Sequence, residues 1–244
     1  MRILLITAMV FAANGWIMAQ NNYGSPQRGF SEKIVIEKQI DYLLYLPDNY
    51  HDRKDERFPL LVFLHGAGER GDDLELVKKH GLPKMIDAGD SFPFIVISPQ
   101  CPENQVWDTE LVYQLITRIE SAYSVDKRRI YLTGLSMGGY ATWELLADHP
   151  DIFAAAIPIC GGGEAWRAKY MKDVPIWAFH GARDLTVPVE RTREMVEALE
   201  KVGGKVKYTE YPEAEHDSWT QTYNTPDLYN WLLEHFKMDE SQPG

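Results

Sequence analysis

Residues 129–147 read RIYLTGLSMGGYATWELLA, and this stretch decides the fold. A β-prone run leads into the pentad GLSMG around Ser136, and a segment of helical composition follows until Pro150. A strand, a glycine-flanked serine and a helix in this order predict a nucleophile elbow, a sharp turn that lifts the serine hydroxyl above the edge of a sheet. The flanking glycines are needed because side chains there would collide with the turn. A serine hydroxyl is a weak nucleophile until a base removes its proton, so the elbow predicts a histidine and an orienting acid elsewhere.

Two candidate partners follow in the chain order serine, acid, histidine that goes with this elbow. After the apolar run VPIWAF comes HGARD, which places Asp184 on a loop just beyond a strand, and after KVKYTEY comes PEAEH, which ends at His216. Because the carboxyl ends of parallel strands gather at one edge of a sheet, we expect these loops to converge. Ser136 would be the nucleophile, His216 the general base and Asp184 the acid that orients the imidazole. Asp173 and Asp217 are rival acids, but Asp173 precedes its strand and Asp217 adjoins the proposed base.

An acyl-transfer site also needs fixed hydrogen-bond donors for the oxyanion of the tetrahedral intermediate. One expected donor is the backbone N–H of Met137, directly after the serine. The second is expected from the loop HGAGERGD after the run LLVFL, with Ala67 as the donor. Glu69 and Arg70 flank this position. We expect them to stiffen the loop together with Asp72, and substrate contact is the alternative.

Eight short β-prone runs alternate with amphipathic helical segments along the chain. Several runs, such as LLVFL and FIVI, are apolar throughout, which indicates burial on both faces as in a parallel sheet. This alternation, without a linker or repeat, predicts a single-domain α/β fold with a mostly parallel eight-stranded sheet flanked by helices. The segment 161–173 is too short for a cap domain, so we expect an open crevice. The predicted strands are 33–37, 40–46, 59–64, 93–98, 129–133, 152–159, 174–179 and 205–211.

The two ends of the chain differ from this pattern. Residues 1–19 combine one basic residue with a short apolar run, which predicts a signal peptide cleaved near Ala19 and a secreted or periplasmic protein. The run is shorter than the roughly 20 apolar residues of a membrane span, although an uncleaved anchor is the alternative. Residues 20–30 are interpreted as a flexible leader, residues 31–238 as the folded domain, and residues 239–244 as a tail.

Composition narrows the classes of partner. Acidic residues outnumber basic ones 36 to 25, the net charge is −11, and no stripe of Lys and Arg could neutralise phosphates. We therefore expect neither nucleic acid as a partner nor stable membrane insertion. No HExxH motif or Cys/His cluster occurs, so we expect no metal and no other cofactor. The sequence leaves the oligomeric state open.

With these motifs in view, residues 30–237 resemble the α/β-hydrolase family, and in detail its secreted esterase branch of feruloyl-esterase, acetyl-xylan-esterase and phospholipase/carboxylesterase-like enzymes. The resemblance is carried, in order, by LHGAGERGDD, SPQCPENQVW, GLSMGG, HGARD and HDSW. Glu215 departs from it, because relatives often have Gly before the histidine. The resemblance implies the strand order 1-2-4-3-5-6-7-8, which places Cys101 and Cys160 at the ends of the fourth and sixth predicted strands. Those strands lie three neighbours apart, beyond disulfide reach, so we expect two buried free thiols.

Other side chains near the predicted strand ends have less specific roles. His65 and His180 each precede a glycine, and we expect them to pack and to hydrogen-bond loops rather than to react. Trp107, Trp166 and Trp219 fall on loops near the expected crevice. Their rings are candidates for substrate binding by stacking on a sugar or an aryl acyl group, and burial in the core is the alternative.

Together these features predict a secreted serine esterase that works through an acyl-enzyme. The resemblance implies a small-molecule or polysaccharide-borne ester as the substrate, with feruloyl or acetyl groups on plant cell-wall polysaccharide favoured. Three alternatives remain open: a broad-specificity short-chain carboxylesterase, a serine peptidase of the same fold, and a non-catalytic carbohydrate-binding protein.

Overall fold

The computed structural model describes residues 31–53 and 55–238. The predicted signal peptide, the leader and the tail therefore lie outside the described residues. Residues 38–238 belong to one compact unit. Its strands are β1 (Tyr42–Tyr45), β2 (Phe58–Leu64), β3 (Ile95–Pro99), β4 (Val125–Leu135), β5 (Ala155–Ile159), β6 (Ile176–Gly181) and β7 (Val206–Tyr211). Its α-helices are α1 (Gly81–Asp87), α2 (Thr109–Ala122), α3 (Met137–Asp148), α4 (Ala168–Met171), α5 (Glu190–Lys201), α6 (Trp219–Tyr223) and α7 (Pro226–Leu233).

The seven strands form one sheet in the order β1-β3-β2-β4-β5-β6-β7. β1 is antiparallel to β3, and every other neighbouring pair is parallel. This order matches the one implied by the resemblance once the first predicted strand is left out, which confirms the α/β class and the mostly parallel sheet. The prediction of eight strands is wrong for the described residues. Residues 33–37 form no strand, and Ile34, Val35 and Ile36 are exposed. Apolar β-branched residues favour a strand only where neighbouring backbone and burial support it.

Both faces of the sheet are covered, as the unbroken apolar runs predicted. All seven residues of β2 are buried, so Leu60 and Leu61 pack into opposite cores. One core joins the sheet to α2, α3, α4 and α5, and the other joins it to α1, α6 and α7. Each fully buried Leu or Phe side chain contributes about 1.5–3 kcal/mol relative to exposure. The result is a rigid platform whose carboxyl edge carries the loops after β2, β4, β6 and β7.

The connection from β5 to β6 confirms the absence of a cap. It contains a 3₁₀ turn at Ala165–Arg167 and the four-residue α4. Cys101 follows β3, Cys160 follows β5, and both are buried free thiols, as expected. In the part of the chain that the structure describes, no helix has the length and apolar character needed to cross a bilayer.

Candidate active site

Ser136 sits on the turn between β4 and α3. Its backbone has φ 53° and ψ −116°, a conformation that is strained for a residue with a side chain. Close packing holds the turn, because a Cβ on Gly134 would lie 2.3 Å from the Gly138 carbonyl oxygen, and a Cβ on Gly138 would lie 2.0 Å from the Leu64 carbonyl oxygen. The glycines are therefore required by the approach of α3 to the sheet. The turn leaves Ser136 half-buried, with its hydroxyl on the carboxyl edge.

Three side chains from separate loops meet at this edge. The Nε2 atom of His216 lies 2.9 Å from the Oγ of Ser136, and its Nδ1 atom lies 2.7 Å from the Oδ2 of Asp184. Since a carboxylate only accepts hydrogen bonds, Nδ1 carries the hydrogen and Nε2 is free to accept the serine proton. The structure thus brings together the residues that the sequence analysis singled out as nucleophile, base and acid.

The buried carboxylate of Asp184 accepts hydrogen bonds at both of its oxygens. Its Oδ1 accepts hydrogen bonds from the backbone amides of Thr186 and Val187, at 2.8 Å each, and its Oδ2 faces His216. Burial acts to raise the pKa of Asp184, but the hydrogen bonds from His216 and the two amides outweigh it, so the pKa lies below its ordinary value. Asp184 is therefore held as a carboxylate.

His180 packs behind this acid, as predicted for a structural histidine. Its Nε2 donates to the Val187 carbonyl at 2.9 Å and approaches the Oδ2 of Asp184 at 3.2 Å, and its Nδ1 lies 2.7 Å from the hydroxyl of Thr192. Burial lowers the pKa of His180, although the Val187 carbonyl and Asp184 act against the shift. The side chain is fully buried, so its role is to support the Asp184 loop.

The loop after β2 passes beside the serine. A Cβ on Gly66 would lie 3.6 Å from the Cβ of Ser136, which brings the neighbouring Ala67 to the same edge. Met137 begins α3, so its amide is one of the N-terminal amides that lack a partner within the helix. The two amides that the sequence analysis assigned to an oxyanion hole thus belong to the two segments that flank the hydroxyl.

Arg70 stiffens this loop, but not through Asp72 as expected. Its Nε donates to the Ala67 carbonyl at 2.8 Å, and its Nη1 donates to the Gln105 carbonyl at 3.1 Å. Asp72 takes no part in these hydrogen bonds, because the guanidinium joins two loop backbones that come together only in the folded sheet. Glu69 is buried, and its Oε1 lies 3.6 Å from the Nε2 of His80.

His65 holds the same loop from below, as predicted. Its Nε2 accepts a hydrogen bond from the Cys101 amide at 3.0 Å, so its Nδ1 carries the hydrogen and donates to the Gly66 carbonyl at 2.6 Å. Burial lowers the pKa of His65 to about 4. A neutral ring with one fixed tautomer therefore fastens the loop to the segment after β3.

The three candidate tryptophans have different surroundings. Trp107 is buried, donates from Nε1 to the His65 carbonyl at 3.1 Å, and lines a cavity beside Ser136. Trp219 is buried with its ring perpendicular to that of His216, at 5.2 Å between centroids, so it supports the base. Trp166 is 64% exposed and does not line the cavity beside Ser136. The structure therefore brings two of the three to the site.

The cavity beside Ser136 has a volume of about 500 Å³. Sequence analysis missed four of its lining residues, Val106, Tyr140, Ala141 and Glu144. Tyr140 and Glu144 follow Ser136 at intervals of four residues, so helical periodicity after the elbow could have found them. Val106 carries no comparable signal, because a long loop brings it to the site.

One group of metal-ligating types occurs among the described residues. Single ligand atoms of Cys160, Asp184 and His216 lie within 4.8 Å of one another. Burial raises the pKa of Cys160 to about 12, so the thiol keeps its proton, whereas metal binding needs the thiolate. His216 and Asp184 are already bonded to each other, so the group is poorly suited to hold an ion.

In this arrangement a proton can move from the hydroxyl of Ser136 to the imidazole of His216, which the carboxylate of Asp184 orients. A cavity and the two backbone segments of the expected oxyanion hole adjoin the hydroxyl. A comparison with known proteins identifies the family of the chain. The model of the “Putative esterase” family matches residues 34–178, more than half of the chain. The chain belongs to this esterase family. The model of the prolyl oligopeptidase family matches residues 164–239, which include the loops that carry the acid and the base.

Relatives of this esterase family member include larger enzymes. A bifunctional acetylxylan esterase/xylanase from Neocallimastix patriciarum is 29% identical over 151 residues, which are 59% of this chain and 21% of the relative. An endo-1,4-beta-xylanase/feruloyl esterase from Xylanibacter ruminicola is 29% identical over 185 residues, which are 67% of this chain and 25% of the relative. The chain thus spans a quarter or less of the length of these curated relatives.

Among solved structures, a thermostable esterase is 39% identical to this esterase family member. The superposition has a TM-score of 0.71 and covers 81% of this chain and 60% of the other. The agreement confirms the α/β-hydrolase fold.

Proposed function

We propose that this protein hydrolyses carboxylic esters through a serine-bound acyl-enzyme. The observation that carries the proposal is the unbroken hydrogen-bonded series from Ser136 through His216 to Asp184. His216 takes the hydroxyl proton as the serine oxygen attacks the acyl carbon, and Asp184 stabilises the imidazolium that forms. The resulting oxyanion accepts hydrogen bonds from the amides of Met137 and Ala67.

The intermediate then collapses. The bond from the acyl carbon to the alcohol oxygen breaks, and His216 returns its proton to the leaving alcohol, so Ser136 carries the acyl group. Water attacks this ester with His216 again as the base, the bond to the serine oxygen breaks, and the carboxylic acid leaves. Removing one oxyanion donor in comparable sites lowers the rate by about 100- to 1000-fold, so the rigidity of the Ala67 loop is part of the machinery.

The substrate proposed is an acetyl or feruloyl ester carried by a plant cell-wall polysaccharide. The names of the two curated relatives support this class. The open crevice supports it too, because a polymer can reach a site without a cap more easily than one under a lid. The cavity beside Ser136 offers the apolar surfaces of Trp107, Met137 and Tyr140 to an acyl group.

We also propose secretion, on the sequence pattern of residues 1–19. Export would bring the enzyme to a polymer that cannot enter a cell. N-terminal sequencing of the protein recovered from culture medium tests this, and a retained Met1 in the exported protein would contradict cleavage near Ala19.

The decisive experiment compares hydrolysis of p-nitrophenyl acetate by the intact protein, by Ser136→Ala and by Ser121→Ala. Ser121 is an exposed helix serine that bonds only to the Thr117 carbonyl, so it is a matched control. We expect Ser136→Ala to lose the nitrophenol burst and Ser121→Ala to keep it. Unchanged turnover in Ser136→Ala would overturn the proposed nucleophile.

A comparison of acetylated xylan, methyl ferulate and p-nitrophenyl butyrate then separates the ester classes. Preference for the first two supports the polysaccharide ester, whereas equal rates on all three would indicate a broad short-chain carboxylesterase. Binding of xylan without cleavage of any ester would instead support a non-catalytic binding protein.

A serine peptidase is the second candidate, because the prolyl oligopeptidase family matches residues 164–239. The same serine, base and acid can hydrolyse a peptide bond. Hydrolysis of a peptide p-nitroanilide at a rate above that of p-nitrophenyl acetate would favour the peptidase over the esterase.

A further inference from the structure

A second cavity adjoins the one beside Ser136. It has a volume of about 470 Å³, within the range of small-molecule sites. Tyr140 and Glu144 line both cavities. Because these residues occupy successive turns of α3, a ligand bound at the serine can continue over them into the second space. The two cavities are therefore adjoining parts of one groove.

The second cavity is bounded by tight packing. Its floor includes Gly162 and Gly163, where a Cβ would come within 2.7 Å of the Cβ of Arg191 and within 2.9 Å of the Cβ of Trp143, respectively. The backbone forms the surface at this point, because no side chain would fit. The space is thus a shaped pocket rather than a loosely packed gap.

Its charged groups balance. Arg167 and Arg191 line the cavity together with Glu144 and Glu164, so the formal charges of these four groups cancel. Arg167 also pairs with Asp148 and, at 3.9 Å, with Glu164. An anionic ligand would meet the carboxylates, and a cationic ligand would meet the guanidinium groups. A neutral ligand with many hydroxyls can donate to the carboxylates and accept from the arginines.

The electrostatics of Glu144 agree with this reading. Partial burial raises the pKa of the Glu144 carboxyl, and the nearby carboxylates of Asp148 and Glu164 raise it further, against the effect of Arg167. Although the charges lining the cavity cancel, the carboxylates that flank Glu144 disfavour an anionic ligand next to this side chain. It still offers acceptor oxygens to hydroxyl groups.

Aromatic surface lines the cavity and lies beside it. The ring of Tyr140 is part of the wall shared with the serine cavity, and the residue is 38% exposed. Trp166 does not line the cavity, but it contacts Arg167, which does, and the guanidinium carbon lies 5.8 Å from the indole centroid. Aromatic rings with an exposed apolar face suit the C–H faces of sugars.

We propose that the second cavity binds the neutral sugar residue that carries the ester, on the alcohol side of the scissile bond. This inference rests on the proposed ester hydrolysis at Ser136. It assigns to Arg191 a hydrogen bond with a sugar hydroxyl and to Tyr140 a packing surface between the two sites. The sugar specificity of the enzyme is thereby located in the second cavity.

The test measures kcat/KM for an acetylated xylotriose and for methyl acetate, and takes their ratio. Arg191→Ala is the variant, because this side chain is 57% exposed and its pair with Glu194 is a loose one at 3.7 Å. Arg53→Ala is the matched control, because Arg53 is 51% exposed and also pairs at i,i+3, with Glu56. Loss of a hydrogen bond from a charged donor predicts a fall in the ratio of about tenfold or more in Arg191→Ala. The ratio is expected to stay at the parent value in Arg53→Ala.

A second measurement uses unesterified xylotriose as an inhibitor of methyl acetate hydrolysis. We expect competitive inhibition by the parent protein and an inhibition constant about tenfold higher in Arg191→Ala. Tighter inhibition by a uronic-acid-bearing oligosaccharide than by xylotriose would overturn the neutral sugar. An unchanged ratio in a folded Arg191→Ala, with Ser136→Ala inactive, would overturn this inference alone. Activity retained in Ser136→Ala would instead remove the proposed function beneath it.

Discussion

Replacing Asp184 by Asn separates the orienting role of the acid from its place in the fold. The Oδ1 atom of Asp184 accepts two backbone hydrogen bonds at 2.8 Å, from Thr186 and Val187, while Oδ2 accepts from His216 at 2.7 Å. An amide has one oxygen and one NH₂ group, so it cannot serve both sides. Turning the NH₂ group toward the two backbone amides would leave buried donors unsatisfied, at about 1–3 kcal/mol each. The oxygen therefore keeps the backbone partners, and the NH₂ group faces the Nδ1 of His216.

That orientation reverses the tautomer of the base. Nδ1 of His216 must then accept, Nε2 must carry the hydrogen, and the imidazole can no longer take the proton of Ser136. The same substitution in a serine protease triad lowers kcat by about 10⁴-fold, and 1.36 kcal/mol corresponds to a factor of ten. We therefore expect a loss of about 10⁴-fold in kcat, or about 5.4 kcal/mol of transition-state stabilisation. The two retained backbone bonds should leave the melting temperature nearly unchanged.

The assay is steady-state hydrolysis of p-nitrophenyl acetate, with thermal unfolding followed in parallel. Asp217→Asn is the matched control, because Asp217 is a neighbouring acid that bonds only to the amide and hydroxyl of Thr220. Asparagine can accept the Thr220 amide through its oxygen and donate from its NH₂ group to the Thr220 hydroxyl, so the control should retain activity. A folded Asp184→Asn with activity within tenfold of the parent would refute the reasoning. So would a larger loss in Asp217→Asn.

Three further predictions follow from burial and close packing. Gly138→Ala should lower the free energy of unfolding, measured in urea, by about 3 kcal/mol or more, because its Cβ would meet backbone at 2.0 Å. The control Gly68→Ala should change this free energy by no more than about 0.5 kcal/mol, because its Cβ meets nothing within 4 Å. The pKa of His65, about 4 when folded against an ordinary 6.5, means that the unfolded chain binds the proton first. The free energy of unfolding should therefore fall by about 3 kcal/mol as the pH drops from 6.5 through 4, and by less in His65→Gln. Urea titrations at several pH values measure it, and an equal fall in the two proteins would contradict this reasoning. Cys101 and Cys160 should react with Ellman's reagent only after unfolding, because burial raises the pKa of both thiols; rapid labelling of the native protein would disprove it.

The elbow could be predicted from sequence because its requirements are local. Gly134 and Gly138 are demanded by contacts of 2.3 and 2.0 Å that any side chain would violate, so the turn leaves a readable pattern. Asp184 and His216 could be predicted because each follows a strand closely, and parallel strands bring their carboxyl ends to one edge. The position of each residue shortly after a strand was therefore enough to predict that they meet.

Other features depended on partners that the chain order does not reveal. The run 33–37 has the composition of a strand, yet it forms none in the structure, since a strand exists only where another backbone accepts its hydrogen bonds. Arg70 was expected to stiffen its loop together with Asp72, but its guanidinium instead bridges the carbonyls of Ala67 and Gln105. Trp166 falls on a loop after a strand, as Trp107 and Trp219 do, yet it does not line the cavity beside Ser136.

The sequence by itself determined the alternation of strands and helices, the sharp turn at Ser136 and the order of its two partners, because short-range sterics and hydrophobic periodicity are written in neighbouring residues. Only the tertiary structure decided which imidazole nitrogen faces the serine, which backbone carbonyls hold the Ala67 loop, and how Tyr140 and Glu144 join two cavities into one groove. Those properties arise from contacts between segments far apart in the chain, and a difference of about 1 Å in such contacts decides whether a proton can move or a ligand can fit.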